Sequence, residues 1–194
     1  LKRLLSERNQ FPDRVEKIDR EINRAFGRRV SPMVLDMCGF SQLTAERGII
    51  HYLAMIYQMH AASRPSIVEN GGVVVKQEAD NLYCMFETPA AALEAGLDIF
   101  RAFEAVNSVV PPERDIRGSI GIGFGETLII GQHDMFGPEM NLACKLGEDV
   151  AATKEILLTE AAYSALPEKT YVCEPASVTI SGMELKAFRF VRKA

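Results

Sequence analysis

Residues 34–41, Val34-Leu35-Asp36-Met37-Cys38-Gly39-Phe40-Ser41, constrain what this chain can fold into more than any other stretch. An apolar run that ends in an aspartate reads as a buried strand delivering a carboxylate at its exposed end. The glycine after it lets the backbone approach a ligand closely. Together these suit a metal ion that holds phosphates. The same residues also fit a plain strand end followed by a tight turn, so the rest of the chain has to decide.

The 194 residues fit one domain with a sizeable core, and 47% hydrophobic with 25% charged residues is ordinary for a globular protein. A formal net charge of -4 argues against a nucleic-acid polymer as partner, which would want a basic face. It leaves room for a single nucleotide, whose charge metals and one or two cations can meet. Cys38, Cys84, Cys144 and Cys173 lie far apart in apolar contexts, with no CxxC. They read as free thiols in a reducing compartment. His51, His60 and His133 show no metal-ligand spacing. No run reaches the length of a membrane span and no signal peptide is visible. The expected location is cytoplasmic, in a soluble domain that could belong to a longer or membrane-attached protein.

Residues 1–29 read as a helical segment. Val15, Ile18, Ile22 and Phe26 form a narrow apolar stripe, which suits either a partner helix from a second copy or the chain's own domain. Residues 30–194 form the main domain. A strand over 30–35 is followed by a helix from about residue 45 to 62, which Pro65 breaks or restarts. Residues 73–79 and 81–86 form a hairpin, with Ala79-Asp80-Asn81 at its turn. Pro89 opens a helix to about residue 106. Residues 116–124 form a strand whose Gly118, Gly121 and Gly123 indicate close backbone approach. A strand over 127–130, a helix from Pro138, a short strand and helix over 155–165, and strands over 171–173, 178–180 and 185–191 complete the order. Adjacent strands mixed with helices imply an α+β sandwich, an antiparallel-rich sheet layered with helices.

Two acids then stand out, Asp36 at the first strand's end and Asp80 at the hairpin turn. If the hairpin flanks the first strand, both carboxylates meet at one sheet edge. Two such groups can share divalent cations that polarise phosphates.

At this point the chain resembles the catalytic domain of the class III adenylate/guanylate cyclases. Residues 34–41 follow the family's strand-Asp-x-x-Gly-Phe-Ser/Thr, and residues 71–86 follow Gly-Gly…Lys-x-x-Gly-Asp…Phe. Residues 117–125 are similar to its Arg-x-Gly-Ile-x-x-Gly strand, and residues 134–146 follow Asp-x-x-Gly-x-x-x-Asn-x-Ala-x-Arg-Leu. The four matches come in family order.

The resemblance implies a ferredoxin-like α/β sandwich and an adenylate cyclase that makes 3′,5′-cyclic AMP and pyrophosphate from a nucleoside triphosphate. It implies a homodimer with the site between the subunits. Asp36 and Asp80 would ligate two Mg²⁺ or Mn²⁺ ions. Backbone amides of Met37, Cys38, Gly39, Phe40 and Ser41 would cradle phosphate oxygens. Lys76 and Asp134 match the base-reading pair, Asn141 the ribose-positioning residue, and Lys145 the arginine that stabilises the transition state. One copy would supply the two acids and the other the remaining side chains. A lysine donor beside an aspartate acceptor complements the ring acceptor and amino donor of adenine. Cytosine offers the same pair.

Four departures qualify the match. Lys145 is a point charge without an arginine's bidentate fork. Met183 occupies the place of a phosphate-binding lysine, with Lys186 nearby. Ala79 replaces the glycine before the second acid. Glu78 shares strand parity with Lys76 and would compete for it. Lys145, Met183 and Glu78 keep open a catalytically weak or inactive regulatory domain of the same fold, and the cytosine match keeps open a cyclase acting on pyrimidine nucleotides.

Overall fold

The computed structural model describes residues 1–39, 47–180 and 183–194, with the side chains of residues 180 and 183 outside the description. The N-terminal segment is two helices, α1 (Lys2–Gln10) and α2 (Val15–Phe26), separated by a turn at Pro12–Arg14. The α2 stripe is covered by the chain itself. Ile18 and Ile22 are buried with Leu4 of α1, and Phe26 and Leu128 pack alongside. Arg8 also donates to Asp19 across the two helices at 2.6 Å. The chain passes from α2 into β1 (Gly27–Met37) with no loop. A side chain at Gly27 would come within 2.5 Å of the Asn23 carbonyl, so only glycine permits this abrupt exit.

Helix α3 (Ile49–Glu69) continues through Pro65, where the sequence predicts a break or a restart. Proline removes the hydrogen bond to the carbonyl four residues back. That carbonyl belongs to Ala61, which is exposed and can bond water instead. Buried Ser63, Ser66 and Ile67 hold this end of the helix down. The first residues of the predicted helix, 45 and 46, lie outside the described residues. The hairpin is as expected, β2 (Val73–Glu78) and β3 (Asn81–Phe86). Helix α4 (Pro89–Asn107) starts on Thr88, whose hydroxyl accepts from the Ala91 amide.

The remaining elements are β4 (Gly118–Ile122), β5 (Gly125–Ile130), β6 (Asp134–Phe136), α5 (Pro138–Lys145), β7 (Ile156–Thr159), α6 (Glu160–Ser164), β8 (Tyr171–Ile180) and β9 (Met183–Lys193). Between α5 and β7 a single π turn spans Leu146–Val150. Strand β8 is continuous through Pro175, where the sequence pattern indicates two short strands. It lies at the sheet's edge, where a missing N–H is tolerated. Strand β6 falls inside the motif of residues 134–146, where the sequence pattern marks no strand.

The strand order is β2-β3-β1-β4-β7-β9-β8, with β5 on the first half of β1 and β6 on β5. Only β4 and β7 pair in parallel among the described ladders. The architecture is therefore the expected α+β sandwich with a mostly antiparallel sheet. On one face Met33, Leu35 and Met37 of β1 join Tyr52, Met59, Leu93, Ile99 and Phe103 of α3 and α4 in the main core. Each such buried side chain contributes about 1.5–3 kcal/mol. On the other face Val34 meets Val75, Met135, Met140 and Ala143 under α5. Asp36, two residues beyond Val34, shares that second face.

The hairpin turn holds Ala79 at φ 49, a left-handed conformation that side chains disfavour. Ala79→Gly is expected to stabilise the chain by up to about 1 kcal/mol, seen as a raised urea midpoint with an unchanged m-value.

Candidate active site

Asp36 and Asp80 come together as the sequence suggests. Pairing of β1 with β3 sets Leu35 opposite Leu82, which brings the hairpin turn beside the end of β1. Both acids line an open concavity of about 690 Å³, with Met37, Cys38, Gly39, Ser119, Glu148, Ala151, Ala152 and Thr153. Asp36 lies opposite Ser119 of β4. The buried Ser119 hydroxyl donates to the Gly147 carbonyl at 3.0 Å and sits 3.4 Å from the Cys38 sulfur. Because Ser119 donates its proton to the Gly147 carbonyl, Cys38 is the donor in that contact.

The concavity is strongly anionic. The Asp36 carboxyl is pushed up to about 7, first by burial and then by the charges of Asp80 and Glu148. Burial and the Asp80 carboxylate also raise the Tyr52 phenol. Burial pushes up the Glu148 carboxyl. None of Asp36, Asp80 and Glu148 has an ion-pair partner among the described residues. An all-oxygen, uncompensated donor set of this kind suits Mg²⁺ or Mn²⁺. Among the described residues no three such side chains converge closely enough to hold a metal unaided. The set therefore fits cations that complete their shells with water and phosphate oxygens.

The expected backbone cradle is narrower than the sequence suggests. The Cys38 amide is already donated to the Arg117 carbonyl at 2.9 Å. The Met37 amide serves the Asp36 carboxylate. Gly39, at φ 94, is left to approach a phosphate, while Phe40 and Ser41 lie outside the described residues.

The other expected side chains lie apart from this concavity. Lys76 of β2 lies 3.6 Å from Asp134 of β6 and 2.7 Å from Glu78. Its ammonium also stands over the Tyr83 ring at 5.6 Å. The competition from Glu78 read in the sequence is thus present. Asn141 and Lys145 are one turn apart on the exposed side of α5, and Lys145 donates to Asp149 at 2.8 Å. None of Lys76, Asp134, Asn141 and Lys145 lines the acidic concavity. Lys186 pairs with Glu160 at 3.5 Å and does not line it either.

Helix α5 is positioned by backbone contact and one carboxylate. A side chain at Gly121 would meet the Gly147 amide at 2.6 Å, and one at Gly147 would meet the Val34 carbonyl at 3.0 Å. Glu139 accepts from the Phe124 amide at 3.1 Å and the Thr159 hydroxyl at 2.6 Å. Ser119, Glu139 and Glu148 are the residues that sequence reasoning missed. The Gly147-Glu148 pair just past the asparagine–lysine helix was the one available signal for the last.

With this geometry, the model of the Adenylate and Guanylate cyclase catalytic domain matches residues 26–190. The chain belongs to that family. A crystal structure of an adenylate/guanylate cyclase/hydrolase from Silicibacter pomeroyi is similar at TM-score 0.71 and 21% identity, covering 86% of this chain and 98% of that one. The adenylyl cyclase CyaB from P. aeruginosa is similar at TM-score 0.72 and 18% identity, covering 86% and 96%. The guanylate cyclase domain of RhGC from Catenaria anguillulae, solved with GTP, is similar at TM-score 0.71 and 14% identity, covering 86% and 97%. No curated protein matches the chain. No helix among the described residues is long and apolar enough to cross a membrane. The chain is a class III nucleotidyl cyclase domain, and its neighbours include enzymes named for either purine.

Between the ordinary value of 3.8 and about 7, the folded chain keeps a proton on Asp36 that the unfolded chain has released. The metal-free fold therefore loses stability as pH rises through this window. Asp36→Asn is expected to raise the thermal midpoint in EDTA at pH 8, by the equivalent of about 1–2 kcal/mol once solvent screening is allowed for. The gain should shrink as pH falls from 7 toward 4, which calorimetry at both ends of the window checks.

Proposed function

We propose that this cyclase domain converts ATP to 3′,5′-cyclic AMP and pyrophosphate in a site shared by two copies of the chain. The observation that carries the reading is the division of the chain into two unlike half-sites. Asp36 and Asp80 line one concavity, whereas the Lys76–Asp134 pair and the exposed Asn141 and Lys145 stand outside it. A second copy would complete each concavity with the missing half.

Lys76 donates to a ring nitrogen of adenine and Asp134 accepts from its amino group, a pattern that guanine reverses. Asn141 orients the ribose. Asp36 and Asp80 would hold two Mg²⁺ or Mn²⁺ ions, which would supply Lewis acidity toward the ribose 3′-hydroxyl and positive charge toward the triphosphate. The Gly39 amide donates to a phosphate oxygen. The 3′-oxygen releases its proton to water and bonds to the α-phosphorus, the bond to pyrophosphate breaks, and Lys145 meets the charge that develops between them.

One observation favours a second reading, a weak or inactive regulatory domain. Glu78 lies nearer to Lys76 than Asp134 does, at 2.7 Å against 3.6 Å, and Asp149 engages Lys145 at 2.8 Å. Both cations have partners to give up before they can serve a nucleotide.

The test supplies the purified chain with each of the four NTPs and Mn²⁺. Cyclic AMP from ATP alone is the expected product, and a pyrimidine product would reassign the base. Nucleotide binding with no product from any NTP would select the regulatory reading. Lys145→Arg restores the bidentate fork and is expected to raise kcat about tenfold or more, with little change in KM. An unchanged kcat would remove Lys145 from the transition state.

A further inference from the structure

We propose that Glu148 is an additional carboxylate of the cation site, a positioning residue that accepts a hydrogen bond from water on a cation held by Asp36 and Asp80. The inference rests on the cation-site reading above.

Glu148 lines the same concavity as the two aspartates. It is carried there by the π turn, where one extra residue per turn re-aims a side chain at the end of α5. The turn itself is fixed. Gly147 is pressed against Gly121 and Val34, and its carbonyl accepts from Ser119 at 3.0 Å. Glu148 is oriented as well as placed. Asn81 and Tyr83 both donate to its Oε1, each at 3.1 Å. Both belong to β3, which leads away from Asp80. Two donors on one carboxylate oxygen leave the other to accept, and Oε2 makes no hydrogen bond among the described residues.

The carboxylates do not close on a single metal position among the described residues. A role across a water molecule is the one that fits this spacing. Mg²⁺ retains several waters when bound by one or two carboxylates, and those waters need acceptors. Outer acceptors of this kind commonly change metal affinity by about 10–100-fold. The clamp has a further effect: Glu148 ties the Asp80 hairpin to the end of α5, so cation binding and helix position are linked within one chain.

The experiment is a Mn²⁺ titration of the purified, nucleotide-free chain, read by the electron paramagnetic resonance of free Mn²⁺. Glu148→Gln keeps a carbonyl oxygen for Asn81 and Tyr83 and removes the charge. It is expected to weaken Mn²⁺ binding about tenfold while leaving the thermal midpoint in EDTA unchanged or raised. Tyr83→Phe removes one of the two donors and should weaken binding by a smaller factor. Asp36→Asn should abolish binding. Wild-type affinity in Glu148→Gln, with loss in Asp36→Asn, overturns the proposal and leaves the two-aspartate site standing. A lowered metal-free midpoint in Glu148→Gln also overturns it, since that marks a structural strut. Unchanged binding in Asp36→Asn, or no binding by the wild-type chain, overturns the two-aspartate site and Glu148 with it.

Discussion

The close approach of the α5–π turn unit to the centre of the sheet is the constraint on which the rest depends. Gly121 and Gly147 let main chain meet main chain where two side chains would otherwise stand. Ser119 and Glu139 then secure the contact with hydrogen bonds to the Gly147 carbonyl, the Phe124 amide and Thr159. Because the contact is between backbones, it has little tolerance for side-chain change. Whatever α5 carries on its exposed side, Asn141 and Lys145 included, inherits that fixed position.

The acidic concavity is organised on the opposite principle. Its carboxylates repel one another and are partly buried, so the metal-free fold is less stable for having them. The main core on the other face of β1 supplies the surplus, with Met33, Leu35, Met59, Leu93 and Ile99 fully or nearly fully buried. The end of β1 thus carries both features on alternate residues, Leu35 and Met37 in the core and Asp36 on the opposite side.

The pattern of elements was legible because it rests on local signals. Hydrophobic alternation, turn residues and Pro89 or Pro138 at helix starts are read within a few positions. The juxtaposition of Asp36 and Asp80 was also legible, since it needs only one hairpin to flank one strand. What escaped depended on distant partners. Pro65 stays in α3, where Ala61, the residue that loses its hydrogen-bond donor, is exposed. The sequence leaves the α2 stripe open between a second copy and the chain itself, and Ile18 and Ile22 pack on Leu4. The Cys38 amide is claimed by Arg117. Glu148 looks like an ordinary charge at a helix end until the π turn and β3 are in place. The conflict between Glu78 and Asp134 over Lys76 was visible from strand parity alone.

Pro175 sits in β8, which has a neighbour on one side only. An open strand edge invites addition of another strand, and that is a route to fibres. Proline deletes a donor from this edge, and the opposite edge, β2, carries Lys76 and Glu78. Both rims of the sheet are thereby poor templates for backbone pairing. Any association of copies there would rest on side chains and shape.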